Sequence, residues 1–264
     1  MPDRALLKQE AKGILRGARV SPYLFTLVVL VISFVIGRVS DYVQWDTATR
    51  AAYEARLGID LSFLPFCHAP FPGAVTLFVA ILCSLLSVIL SAGVILYHLG
   101  IHRGEARPIE TLFDGFFFAG KIILLYIVMA IFITLWSMLL FFPGIIAAYR
   151  YRFAMYNLCE NPEMGVMEAL NMSKAQTYGF KAQLFLLDLS FLGWEILCGL
   201  TLGILNIWIS PYIAQTNIGF FQEIKQIKGI GYFPASSPRP TASPPPNFKG
   251  TLSHRVRSSK PRIK

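Results

Sequence analysis

The chain has 264 residues, of which 55% are hydrophobic and only 15% charged, and its mean hydropathy is +0.54. Soluble domains carry about 25% charged residues; here the apolar residues are also gathered into blocks, so an ordinary soluble domain is excluded and lipid is the expected solvent. The net charge of +9 belongs to one end: every acidic side chain lies at or before Glu223, whereas nine of the 24 Lys and Arg residues follow it.

Residues 1–20 read as an amphipathic segment, helical over 3–19. Leu7, Ala11, Ile14 and Ala18 recur at helical spacing, and Arg4, Lys8, Lys12, Arg16 and Arg19 take the other faces. Such a helix can lie among lipid headgroups. No small-x-small cleavage site follows the first apolar run, so the segment does not read as a signal peptide. The first span is expected at about 21–38. Residues 39–73 form a mixed loop without basic excess, and their Leu61–Gly73 end is rich in Pro and Phe. A second span covers about 74–98, where Ser84, Ser87, Ser91, Ala92 and Gly93 favour close helix packing.

Residues 99–120 are expected to form a loop containing a short interfacial helix, Ile109–Phe118. Between Lys121 and Arg150 lie 28 residues without a charged side chain. That run is too long for one ordinary span. It yields a third span at about 119–142, ended by Pro143-Gly144 because proline removes a backbone donor, and the start of a fourth at 144–160. Asn161-Pro162-Glu163 reads as a helix start outside the bilayer. A fifth span is expected at 182–199, a tight hairpin between Gly199 and Gly203, and a sixth span at 203–222. Residues 229–264 read as a disordered, basic, Pro/Ser-rich tail. The membrane domain therefore covers 21–228, and the fold class is all-α: a polytopic membrane protein with about six transmembrane helices and N-terminal and intracellular amphipathic helices.

The charge distribution argues for the fourth crossing. Positive charge marks the cytoplasmic side; the N-terminal segment and the tail are both basic, so both termini are expected in the cytoplasm and the span count is even. That crossing buries Arg150 and Arg152, whose expected partners are Asp188 and Glu195 in the fifth span, seven residues apart and so on nearly one helical face. The expectation is an Arg150–Glu195 pair, with Arg152 turned toward Asp188 or a polar cavity.

Signals for chemistry are sparse. Cys67, Cys83, Cys159 and Cys198 are isolated, without CxxC spacing, so neither a disulfide framework nor a zinc site is expected. His98 and His102 share a helix face but lack a fixed third ligand, and both are expected to titrate in the headgroup region. No phosphate-binding glycine loop and no nucleophile elbow occurs. No cofactor, metal or catalytic residue is assigned, and the protein reads as a non-enzyme. The basic tail points to anionic lipid rather than nucleic acid.

The pieces RGE at 103–105, LFDGF at 112–116, LWSMLLFFPGII at 135–146, ENPEMGVMEALNMSKAQ at 160–176, LDLSFLGW at 187–194, LTLGI at 200–204 and PYIAQT at 211–216 resemble, in order and spacing, a bacterial integral-membrane family known as domain of unknown function 975. This chain departs from the family pattern at Tyr178-Gly179-Phe180-Lys181 and at Phe220-Phe221. The motif positions carried over are Asp114, Gly115, Trp136, Pro143, Gly144, Asn161, Pro162, Ser190, Gly193, Trp194, Pro211 and Tyr212. The resemblance implies a six-helix membrane fold in the bacterial plasma membrane and supplies no activity. The resulting expectation is a protein that binds or organises lipid or envelope components. The alternative is a secondary transporter with a polar path through Arg150, Arg152, Asp188 and Glu195.

Overall fold

The computed structural model describes residues 2–18, 20–45, 47–58, 60, 71–139 and 141–231. The regular structure among them is entirely helical: α1 (Arg4–Gly17), α2 (Pro22–Gln44), α3 (Thr47–Leu57), α4 (Gly73–His102), a 3₁₀ helix (Ile109–Phe118), α5 (Ala119–Leu139), α6 (Phe141–Tyr151), α7 (Ala154–Glu160), α8 (Val166–Thr177), α9 (Lys181–Leu189), α10 (Leu192–Leu200) and α11 (Asn206–Lys228). Local chemistry sets several starts. The Asp3 side chain accepts from the Ala5 amide at 2.9 Å. Ser21 caps the Leu24 amide ahead of Pro22, whose fixed φ suits a first turn.

Among the described residues, four helical segments are long and apolar enough to cross a membrane: Pro22–Gln44, Gly73–His102, Ile109–Met138 and Lys181–Leu200. Their burial is uneven. Phe25 and Thr26 on α2, Ile122 and Leu125 on α5, and Leu184 and Leu187 on α9 are buried near the helix starts. On α4 the buried stretch lies at the other end, from Ile89 to Ile101. These ends meet α1, the 3₁₀ helix, α7, α8 and the later part of α11 in a packed hub. The remaining lengths project as apolar arms, exposing side chains such as Phe34, Leu77, Phe78, Ile131 and Leu200. Lipid is the solvent such surfaces need.

Two hairpins leave the hub and return to it. In the first, Lys121 Nζ donates to the Pro162 carbonyl at 2.6 Å, the Phe132 and Tyr151 rings lie 5.8 Å apart, and Gly144 abuts Ser137. α6 and α7 thus run antiparallel to α5 along its length. A Cβ on Gly144 would stand 2.1 Å from Ser137 Oγ, so the close return requires glycine there. In the second, Lys228 Nζ donates to the Tyr178 carbonyl at 2.5 Å, and the Phe191 and Tyr212 rings are 5.5 Å apart, so α11 runs back along α9 and α10.

The hub is polar inside. Glu160 accepts from Arg103 at 2.8 Å, from Gln222 at 2.7 Å and from Lys225. Asn157 and Gln176 exchange reciprocal amide bonds of 2.9 and 3.0 Å. Gln215 bridges His98 and His102 at 3.3 and 2.9 Å. Buried polar groups are stable only when paired in this way.

Several sequence expectations change. α1 turns Leu7, Ala11 and Leu15 toward the protein and packs along α11, so its apolar stripe is occupied by a helix rather than by headgroups. The 39–73 loop is partly helical, since α2 continues to Gln44 and α3 follows; residues 61–70 lie outside the described residues. The Ile109–Phe118 piece is helical over the expected residues, as a 3₁₀ helix with Phe113, Phe116 and Phe117 exposed. It packs on α4, where a Cβ on Gly93 would lie 2.0 Å from the Leu112 carbonyl oxygen. Ala92 and Gly93 provide this close approach, whereas Ser87 and Ser91 bond to carbonyls of their own helix. Pro143-Gly144 does not end the third span: α5 stops at Leu139, and the pair sits in the first turn of α6, a position proline tolerates. Asn161-Pro162-Glu163 starts no helix; Asn161 closes α7, and α8 begins at Val166. His98 is buried beside Phe25 and Tyr97 rather than in open headgroup space. α11 ends with Gly229 in the left-handed conformation, and the tail from residue 232 lies outside the described residues.

Glu160→Gln would leave the Lys225 ammonium, 4% exposed, without its carboxylate. Breaking a buried pair on one side costs about 3–5 kcal/mol. The purified variant is expected to unfold at a clearly lower temperature in detergent, and adding Lys225→Met should restore part of the loss.

Candidate functional site

Of the charges singled out by sequence, Arg152 and Asp188 meet at the edge of the hub, as expected, whereas Arg150 and Glu195 do not meet. Arg152 grips Asp188 with both ends of its guanidinium, one bond measuring 2.8 Å. Tyr149 donates to the same carboxylate at 2.8 Å, and Arg152 also donates to Asn217 Oδ1 at 3.2 Å. The side chains of Arg152 and Asp188 keep 25% and 33% of their exposure, so the pair is half-buried. Bidentate geometry and two neutral partners satisfy most of its hydrogen-bonding capacity.

Arg150 and Glu195 do not pair. Among the described residues neither makes an ion pair within 4.0 Å, and the role found for Arg150 is its carbonyl, which accepts from Ser173 at 2.9 Å and Thr177 at 3.2 Å. The reason is local. α6 stops at Tyr151, and Arg152 lies in the turn before α7, so the two arginines do not share one continuous helix. The 181–200 segment is likewise broken at Ser190-Phe191, where Ser190 Oγ donates to the Leu187 carbonyl. There the Phe191 amide donates to the Asp188 carbonyl, a three-residue step, so the spacing of Asp188 and Glu195 departs from that of a regular helix.

Glu195 instead lines a groove. Tyr156, Glu195, Cys198, Asn206, Ile209, Ser210, Ile213, Ala214 and Asn217 enclose about 500 Å³ between α7, α10 and α11. The α11 members recur every three or four residues from Asn206 to Asn217, one face over roughly 16 Å of helix axis. That face carries a polar line, Asn206, Ser210 and Asn217, with Ile209 and Ile213 along one side and Ala214 along the other. Asn217 joins the groove to the Arg152–Asp188 pair. The periodicity is present in NIWISPYIAQTN, but the segment also reads as one face of an expected span. The residues therefore read as packing positions until a wall stands opposite them.

The motif positions do not converge on one site. Asp114 lines another, larger pocket of about 800 Å³, with Phe116, Phe117, Lys121, Pro162 and Glu163. Gly115 packs on α4, where an added Cβ would lie 2.6 Å from the Ile89 carbonyl oxygen. Gly144, Asn161 and Ser190 shape turns, as above. Pro211 is buried within α11, and the Tyr212 ring lies under Lys12 Nζ at 5.5 Å. Trp136 and Trp194 are exposed on arms, and Gly193 has open space around it. No group of three His, Cys, Asp or Glu side chains suited to a metal occurs among the described residues.

These features define a membrane-embedded, all-helical protein with a packed polar hub and a groove beside an internal charge pair. Within it, residues 138–228 match the model of a family described as a protein of unknown function, DUF975. The match covers α6 through α11 and so contains the Arg152–Asp188 pair and the whole groove; RGE at 103–105 and LFDGF at 112–116 fall outside it. Neither a curated protein nor a solved structure matches the chain.

Asp188→Asn leaves Arg152 unpaired and is expected to cost roughly 1–3 kcal/mol, between the values for exposed and buried pairs. Arg150→Gln and Glu195→Gln should each stay within about 0.5 kcal/mol of the parent. Thermal unfolding of the four proteins in one detergent measures the ranking; a Glu195→Gln loss as large as that of Asp188→Asn would contradict the pairing.

Proposed function

We propose that the protein is a non-enzymatic, multi-pass protein of the bacterial plasma membrane that binds an amphiphile or lipid in the α7–α10–α11 groove. The groove carries this reading. A narrow polar line with isoleucines along one side and Ala214 along the other suits a molecule with a small polar head and an apolar body. The bacterial setting follows from the family resemblance.

Six crossings with both termini cytoplasmic fit the two hairpins. α6–α7 and α11 each run back along an apolar segment that qualifies as a span, so a crossing by the outgoing arm entails a crossing by the returning one. The hub then faces the cytoplasm, in keeping with the basic excess of the N-terminal segment and the tail. Anionic lipid is the proposed partner of that charge, at about 1 kcal/mol per Lys or Arg near the surface. Part of α1 has other duties, with Lys8 over the Phe191 ring and Lys12 over Tyr212.

A second reading, a secondary transporter, draws on one contact: Asn217 couples the groove to the Arg152–Asp188 pair. In this reading the polar path runs through Glu195, Asn217, Arg152 and Asp188, and Arg150 contributes only its backbone.

Two experiments test these readings. In a cysteine-free background in intact cells, Thr201→Cys and Met138→Cys should react with an impermeant maleimide, and Gly104→Cys and Gln226→Cys only after permeabilisation. Labelling of Thr201→Cys and Gly104→Cys from the same side would remove the six-span topology. Native mass spectrometry of the purified protein should reveal a co-purified amphiphile that is lost in Ala214→Trp, which fills the groove. Identical spectra for parent and variant would remove the binding reading.

A further inference from the structure

We infer that the groove selects a monovalent lipophilic cation, an ammonium or phosphonium centre carrying apolar groups, with Glu195 as its counter-ion. The inference rests on the reading of the groove as a ligand site and adds the charge of the ligand. Among the described lining residues Glu195 alone is charged. The neighbouring charges cancel, because both Asp188 oxygens are held by Arg152. Glu195 makes no ion pair within 4.0 Å among the described residues. The groove therefore carries one uncompensated negative charge on an otherwise neutral lining.

A carboxylate on an apolar arm is costly without a counter-charge. The remaining wall fits such a counter-charge on an apolar body. Asn206 and Ser210 offer neutral oxygens, Ile209 and Ile213 offer apolar contact, and Tyr156 brings an aromatic ring, a further partner for cations. A phosphate or carboxylate headgroup would face Glu195 without a free cation among the described lining residues, and repulsion would exclude it.

The test compares two ions of nearly the same shape and opposite charge, tetraphenylphosphonium and tetraphenylborate. The full chain is held in phosphatidylcholine nanodiscs, and binding is measured by equilibrium dialysis against empty discs. The phosphonium should bind saturably, and Glu195→Gln should weaken it at least tenfold, about 1.4 kcal/mol. Ala214→Trp should abolish binding, with Ser210→Phe as a second block should the first fail to fold. The borate should show no saturable binding. If either ion binds in a way that the blocks remove but Glu195→Gln leaves unchanged, the charge selection is overturned while the groove remains a ligand site. If neither ion binds above empty discs, the cation proposal is overturned; a co-purified amphiphile sensitive to Ala214→Trp would still uphold the groove.

Discussion

Glu160 holds the architecture together. Its carboxylate closes α7 and receives Arg103 from the end of α4 and Gln222 and Lys225 from α11. One acidic group thereby ties three separate stretches of chain. Lys225 is nearly inaccessible and Glu160 keeps 13% side-chain exposure, so neither charge has bulk water as an alternative. Hydrophobic packing in lipid gives helices little reason to associate, because the tails are as apolar as the side chains. The hub is held by a hydrophobic core and by the Glu160 network together. The apolar arms can then splay, since their lipid-facing surfaces need no protein partner.

The same logic places the groove. α10 and α11 leave the hub with Phe191 packed on Tyr212, but the helix break at Ser190-Phe191 shifts the face of α10 that Glu195 occupies. The space between the helices is left lined rather than filled. Asn217 closes it at the hub end and contacts the satisfied Arg152–Asp188 pair. A neutral charge pair at one end and, on the wall, a carboxylate without an ion pair among the described residues make the groove electrostatically asymmetric. That asymmetry, rather than any catalytic constellation, is its chemical character.

Much of this was legible from residue order. The four apolar blocks needed only hydropathy and length. Arg152 and Asp188 were identifiable because intramembrane charges are rare and seek each other. The sequence turns Arg152 toward Asp188, as the structure does; the Arg150–Glu195 pair it also suggests is absent among the described residues, because helical periodicity runs through two breaks, at Arg152-Phe153 and at Ser190-Phe191, which leave no proline or glycine at the break itself. Pro143-Gly144 misled in the opposite sense. The pair signals a helix boundary, yet the chain reverses ahead of it, since proline fits a first turn and Gly144 allows contact with Ser137. His98 and His102 read as surface groups because nothing local announces Gln215, more than a hundred residues away, as the amide between them.

The sequence by itself determined the solvent, the helical class and the rarity of internal charges, because each depends on composition within a window no longer than one helix. Only the tertiary structure decided which charges pair, which face of α1 is covered, and that Glu195 lines a groove instead of a salt bridge. Those outcomes depend on where helices break and on which distant helix arrives beside them, and both are set by packing between segments far apart in the chain.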